Sequence, residues 1–88
     1  MTIRYEVRTL GTPAGPWALS RHRLFKAACR ACVGFIEQGK DAHVYHVPSG
    51  RRVEHRPALP QGGLRVILFP DPETCEYFTV LYRGRKRP

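Results

Sequence analysis

The 88 residues of this chain suffice for one hydrophobic core, because two cores cannot be built from so little material. The composition is 42% hydrophobic and 25% charged, which is typical of a globular protein and unlike a disordered one. No apolar run approaches the ~20 residues that span a bilayer, and the charged first residues are unlike a secretory signal. We therefore expect a cytoplasmic protein that does not contact a membrane.

The chain opens with the pattern of a β-hairpin. Residues 3–9 alternate apolar and charged side chains, as a strand with one buried face does. Two glycines and two prolines within 10–16 break any ladder, and residues 17–19 can form a short second strand.

One long helix is predicted next. Ser20 is a good N-cap residue, and the 18 residues after it read as helical. Gly39 is well placed to end the helix. Apolar side chains recur at spacings of three and four and predict one face packed on a core. They are Phe25, Ala28, Cys32, Phe35 and Ile36.

Four further strands are predicted, at 41–47, 51–56, 64–69 and 75–82. Residues 57–63, with two prolines and two glycines, are expected as a linker. The order is then ββαββ followed by a C-terminal ββ hairpin. This order predicts an α+β fold, a small antiparallel sheet with the one long helix packed on one face.

Two parts of the chain are distinguished by composition. Residues 1–82 are expected to form the single α+β domain, and residues 83–88 a flexible basic tail. Because the last hairpin presents an open sheet edge, a homodimer is expected as well.

Positive charge is the strongest global signal. Fifteen lysines and arginines against seven acidic residues give a net charge of +8, and residues 21–40 and 83–88 carry +4 each. Segregated positive charge is typical of a surface that binds a polyanion, DNA or RNA. The competing interpretation is that the charge only keeps a small protein in solution.

The basic residues of the predicted helix and tail are the candidate phosphate contacts. Arginine presents a planar fork of donors that fits phosphate. Basic side chains spaced three or four residues apart lie on one side of a helix. The predicted nucleic-acid-binding residues are Arg21, Arg23, Lys26, Arg30, Arg51, Arg52, Arg83, Arg85, Lys86 and Arg87. If the sheet face away from the helix is open, aromatic side chains there could also stack bases beside Arg4, Arg8 and Arg65.

Cysteine and histidine spacing does not predict a metal site. Cys29 and Cys32 form a CxxC inside the predicted helix, without the second paired motif that structural zinc requires, and they are interpreted as small buried residues. His43 and His46 are three apart, which sends them to opposite faces of a strand. We expect no metal, no cofactor and no catalytic residue, since the sequence contains no P-loop, GxGxxG, GxSxG or HExxH motif.

The closing stretch from GLRV (63–66) through VLYRGR (80–85) resembles the C-terminal hairpin of RelE-type messenger-RNA-cleaving toxins. Those toxins are also small, basic and α+β, and the likeness covers about a quarter of this chain. They open with paired helices, whereas this chain opens with a predicted hairpin. The resemblance therefore implies a related hairpin, and no catalytic residue is transferred.

Three functions stay open at this point. The first is a small nucleic-acid-binding or regulatory protein without enzymatic activity. The second is a protein–protein interaction module, such as a phage or mobile-element product that blocks an acidic host surface. The third is a small RelE-like ribonuclease toxin, whose toxicity would depend on His22 or His55.

Overall fold

The computed structural model of the chain describes residues 2–9 and 17–83. The alternating pattern near the start becomes β1 (Tyr5–Thr9), which pairs antiparallel with β2 (Trp17–His22) on one side and with β3 (Ala42–His46) on the other. A two-residue strand, β4 (Arg51–Arg52), pairs with β3 and completes a four-stranded sheet of order β2-β1-β3-β4. One face of this sheet contributes Tyr5, Val7 and Val44 to the core.

The helix, α1 (Phe25–Glu37), packs on that face, and Ala28, Cys29 and Cys32 on its inner side are fully buried. Gly39 ends it as predicted. With φ at 86°, Gly39 lets its own N–H reach the carbonyl of Ile36 while the N–H of Lys40 reaches that of Phe35. This pair of bonds is the Schellman arrangement, which satisfies carbonyls that the helix leaves open.

The predicted start of the helix is wrong. Ser20 lies in β2 and does not cap α1, whose N-cap is Leu24 without a side-chain cap bond. Strand pairing outweighs the local capping preference here, because β1 is long enough to pair with Ser20, Arg21 and His22 in succession.

The expected linker is also wrong, because most of it is a strand. β5 (Arg56–Gln61) pairs with β6 (Leu64–Pro70), and Gly62 and Gly63, at φ 56° and 79°, form the two-residue turn between them. The prolines are tolerated because β5 lies at the edge of its sheet. The predicted fourth strand, 51–56, is accordingly split between β4 and the start of β5.

The last strand, β7 (Tyr77–Tyr82), pairs with β6 and gives a second sheet of order β5-β6-β7. Phe78, Val80 and Tyr82 of β7 pack against the core beside α1. The α+β class and the antiparallel strands are confirmed, as is the packing of one helix on them within residues 2–9 and 17–83, with the strands divided between two sheets.

The 71–76 loop joins the second sheet to the first. The phenol of Tyr5 donates a hydrogen bond to Glu73 Oε1 at 3.1 Å, Arg4 forms an ion pair with the same carboxylate, and His46 Nε2 lies 3.5 Å from Glu73 Oε2. Tyr5 is 2% exposed, and burial is the main cause that raises its pKa. Through these contacts, Glu73 holds the 71–76 loop against the start of β1.

Within the described part of the chain, no helix has both the length and the apolar character needed to cross a membrane.

Candidate nucleic-acid interface

The face of the four-stranded sheet opposite α1 carries a continuous row of polar and aromatic side chains. Cross-strand pairing places Arg21 of β2 beside Glu6 of β1, Glu6 beside Tyr45 of β3, and Tyr45 beside Arg52 of β4. Arg8 lies two residues further along β1 on the same face. We call this surface, formed by Glu6, Arg8, Arg21, Tyr45 and Arg52, the open face.

Glu6 holds two of these arginines in place. Its Oε1 accepts bonds from Arg8 Nε at 3.0 Å and Arg8 Nη2 at 2.6 Å, and its Oε2 accepts one from Arg21 Nε at 2.8 Å. The side chain of Glu6 is only 14% exposed, while that of Arg21 is 65% exposed. The hydrogen bond from Arg8 is the main cause that lowers the pKa of Glu6, so the carboxylate stays charged at neutral pH.

Tyr45 lies at the centre of the open face. The guanidinium carbon of Arg8 is 4.6 Å from the centre of its ring, which is a cation–π contact. On the other side of Tyr45 lies its cross-strand partner Arg52, whose Nε donates a hydrogen bond to Glu54 Oε1 at 2.9 Å, and this bond is the main cause that raises the pKa of Arg52. An aromatic ring is therefore flanked by guanidinium groups on both neighbouring strands.

A pair of stacked histidines closes one end of this surface. The rings of His43 and His55 are 5.1 Å apart, and His55 in turn lies 5.1 Å from the buried Phe69. Burial lowers the pKa of His55, and the nearby His43 lowers it further. His55 therefore serves as packing between the two sheets.

The structure divides the predicted contact residues between separate surfaces. Arg21 and Arg52 lie on the open face, whereas Arg51, paired with the inward-facing His46, lies on the opposite face of β4. Lys26 and Arg30 lie on α1, where both cations approach the ring of Phe78, at 5.6 and 5.4 Å. The predicted stripe of four basic residues on one helix is wrong, because Arg21 belongs to β2 and Arg23 to the bend before α1.

The last predicted contacts lie near the C-terminus. Arg83 follows β7 and is exposed, whereas Arg85, Lys86 and Arg87 lie outside the described residues. Arg8 is among the arginines predicted to lie beside base-stacking aromatic side chains, whereas Glu6 is not among the predicted contacts. The alternation of residues 3–9 assigned both to one face, but only the pairing of β1 with β3 reveals that Tyr45 lies between Arg8 and Arg52.

The candidate residues for other chemistry do not converge. His22 lies at the end of β2, where its partner Tyr5 also pairs with His46, whereas His55 stacks on His43, three residues or about 10 Å further along β3, so the two histidines do not meet at one phosphate. Cys29 and Cys32 are buried as expected, and burial raises the pKa of Cys32 to about 12. Among the residues 2–9 and 17–83, no three histidine, cysteine or acidic side chains are grouped so as to hold a metal ion.

A cleft of about 580 Å³ lies on the α1 side of the molecule. Its charged lining is mixed, with Arg4, Arg23 and Lys26 facing Asp71, Glu73 and Glu76. Because three acidic side chains lie in this cleft, it is a poorer site for a polyanion than the open face.

Comparison of the chain with protein-family models, with curated proteins and with solved structures finds no match.

Proposed function

We propose that the chain binds single-stranded nucleic acid on the open face of its four-stranded sheet, without catalysing a reaction. The observation that supports this most directly is the stack of Arg8 on Tyr45, fixed by Glu6 and flanked by Arg21 and Arg52. Unpaired bases stack on aromatic rings and on guanidinium planes, and the flanking arginines suit the phosphates between such bases.

The ion pairs within the open face favour this use. Glu6 takes up donors of Arg8 and Arg21 on one side of each guanidinium and leaves their remaining N–H groups for a ligand. Side chains already held in position lose less conformational entropy when a ligand binds. The open face is therefore organised before the nucleic acid arrives.

The shape of the open face favours a single strand over a duplex. The base edges of a duplex are reached by an element that projects into a groove, whereas a sheet face presents its side chains at one level to splayed bases. The exposed side chains of α1 lie on the other side of the sheet and belong to a different surface.

The positive charge elsewhere on the chain is proposed to attract nucleic acid toward the protein before it contacts the open face. With a net charge of +8, the whole protein attracts polyanions, while the open face gives the contact its geometry. Three unpaired cysteines, two of them buried, fit a reducing compartment such as the cytoplasm, where nucleic acids are present.

Fluorescence anisotropy tests this proposal. Labelled single-stranded RNA and DNA of about 12 nucleotides and a matched duplex are titrated at about 50 and 200 mM salt. We expect single strands to bind more tightly than the duplex and to stay bound at the higher salt concentration. Equal binding of all three at low salt, lost at high salt, would show only generic charge and would redirect the search to an acidic protein surface.

A further inference from the structure

The free edge of β7 differs from the other sheet edges of the described chain. β4 consists of two arginines, β5 contains two prolines and β2 contains Arg21, all of which discourage pairing with another strand. β7, with the sequence YFTVLY, contains no charged residue and no proline. An edge strand without such protection is a template for strand addition.

Alternate residues of β7 direct their backbone N–H and C=O groups away from β6, toward the free edge. The N–H of Asp71 donates to the carbonyl of Glu76 at 2.8 Å, and bonded pairs alternate along an antiparallel ladder. Phe78, Val80 and Tyr82 therefore point their N–H and C=O groups toward β6. Those of Tyr77, Thr79 and Leu81 point outward, and no described backbone group bonds to them.

Two of these three residues, Tyr77 and Leu81, also expose large apolar side chains. Tyr77 is 54% exposed and Leu81 is 48% exposed, on the sheet face away from α1. A strand that pairs with this edge would therefore form backbone hydrogen bonds and also bury apolar side-chain surface.

A groove of about 420 Å³ runs between β7 and α1. It is lined by residues 78–82 and by Arg30, Val33, Gly34 and Glu37 of the helix. A Cβ at Gly34 would meet no atom within 4 Å, so the middle of the groove is open. Neither Arg30 nor Glu37 has an ion-pair partner among the described residues.

We propose that the occupant of this edge is a second copy of the chain, paired antiparallel through β7. A twofold axis near Val80, the middle of the groove-lining segment, would pair Thr79 with Leu81 of the second copy and form one six-stranded sheet. The same axis places Arg30 opposite Glu37 of the second copy, and Glu37 opposite its Arg30, because these two residues lie at opposite ends of the groove. A surface that is complementary to itself in charge is what a twofold interface requires.

The pairing is tested by sedimentation velocity at about 150 mM salt, where the +8 charges of the two copies are largely screened. The unaltered chain is expected to dimerise. Thr79→Pro removes an outward N–H without touching the bonds to β6 and should give a monomer, whereas the matched Thr79→Val variant keeps the N–H and should dimerise. A chain that stays monomeric up to about 1 mM overturns the proposal.

A charge exchange makes the test independent of any effect of proline on folding. Arg30→Glu and Glu37→Arg each place like charges opposite one another and should weaken self-association about tenfold. A mixture of the two variants should form a heterodimer, since all four charges are then complementary. If the mixture associates no better than either variant alone, the proposed pairing is contradicted. This inference involves the second sheet and does not depend on the nucleic-acid proposal.

Discussion

The guanidinium carbon of Arg8 lies 4.6 Å from the ring centre of Tyr45, across the strand boundary between β1 and β3. Glu6 fixes this contact from the side by accepting two bonds from Arg8. The carboxylate is largely covered, and its neighbours Arg8 and Arg21 keep their outer donors. A ring, a stacked guanidinium and a partly covered carboxylate thus form one unit on a sheet face that α1 does not cover.

Replacing Tyr45 should weaken nucleic-acid binding. Loss of one stacking side chain costs about 1–3 kcal/mol for single strands, so Tyr45→Ala is expected to raise Kd by about 5- to 140-fold. Tyr45→Phe keeps the ring and should bind within about twofold of the unaltered chain. Anisotropy titrations measure both variants, and similar losses for Ala and Phe would show that stacking is not the contact.

The arginines of the open face should contribute more to nucleic-acid binding than exposed arginines elsewhere on the chain. Arg21→Gln is expected to lower the salt dependence of binding by about 0.7 in the slope of log K against log salt. Arg56 is a matched control, because it is exposed on β5 and contacts the ring and hydroxyl of Tyr77. If Arg56→Gln lowers the slope as much as Arg21→Gln does, binding is spread over the whole charged surface.

The ion pairs of Glu6 predict a pH dependence of stability. Because its pKa in the folded state lies below the ordinary value of 4.5, these pairs stabilise the fold fully above pH 4.5. That stability is lost as the pH falls through the lowered pKa. Glu6→Gln should therefore cost about 1 kcal/mol in urea unfolding at neutral pH and less than that at acidic pH, below the lowered pKa. An equal cost at both pH values would contradict this role of Glu6.

Thiol reactivity should separate the three cysteines. Cys29 and Cys32 are buried, and burial raises the pKa of both, whereas Cys75 is exposed in the loop before β7. A thiol reagent that absorbs on reaction is expected to titrate one group in the native chain and three in denaturant. Cys75→Ser should leave no rapidly reacting group, and rapid reaction of a second native thiol would contradict the packing of α1.

Sequence patterns predicted which helix and strands form better than they predicted the residues at which each one begins and ends. The spacing of Phe25, Ala28 and Cys32 identified the buried side of α1, and the position of Gly39 identified its end, because both signals are local. The start of α1 depends on how far β2 pairs with β1, which the serine at position 20 does not reveal.

The same limit applies to the second sheet and to the candidate site. Prolines at 57 and 60 indicate a linker unless the strand lies at an edge, and edge position is a property of the assembled sheet. The two glycines at 62 and 63 are typical of a hairpin turn, because both turn residues adopt positive φ. For the open face, the sequence predicted that Arg21 and Arg52 are contacts, but the neighbour relationship of Arg8 and Tyr45 depends on a pairing 37 positions apart.

The most direct test of the central claim is a heteronuclear NMR titration of the labelled chain with single-stranded RNA. We predict that the largest amide shifts fall in β1, β3 and β4, at and around Glu6, Arg8, Tyr45 and Arg52, and that α1 between Phe25 and Glu37 changes little. Shifts concentrated on Lys26, Arg30 and the neighbouring helix surface, with the open face unaffected, would contradict the assignment of this face as the nucleic-acid interface.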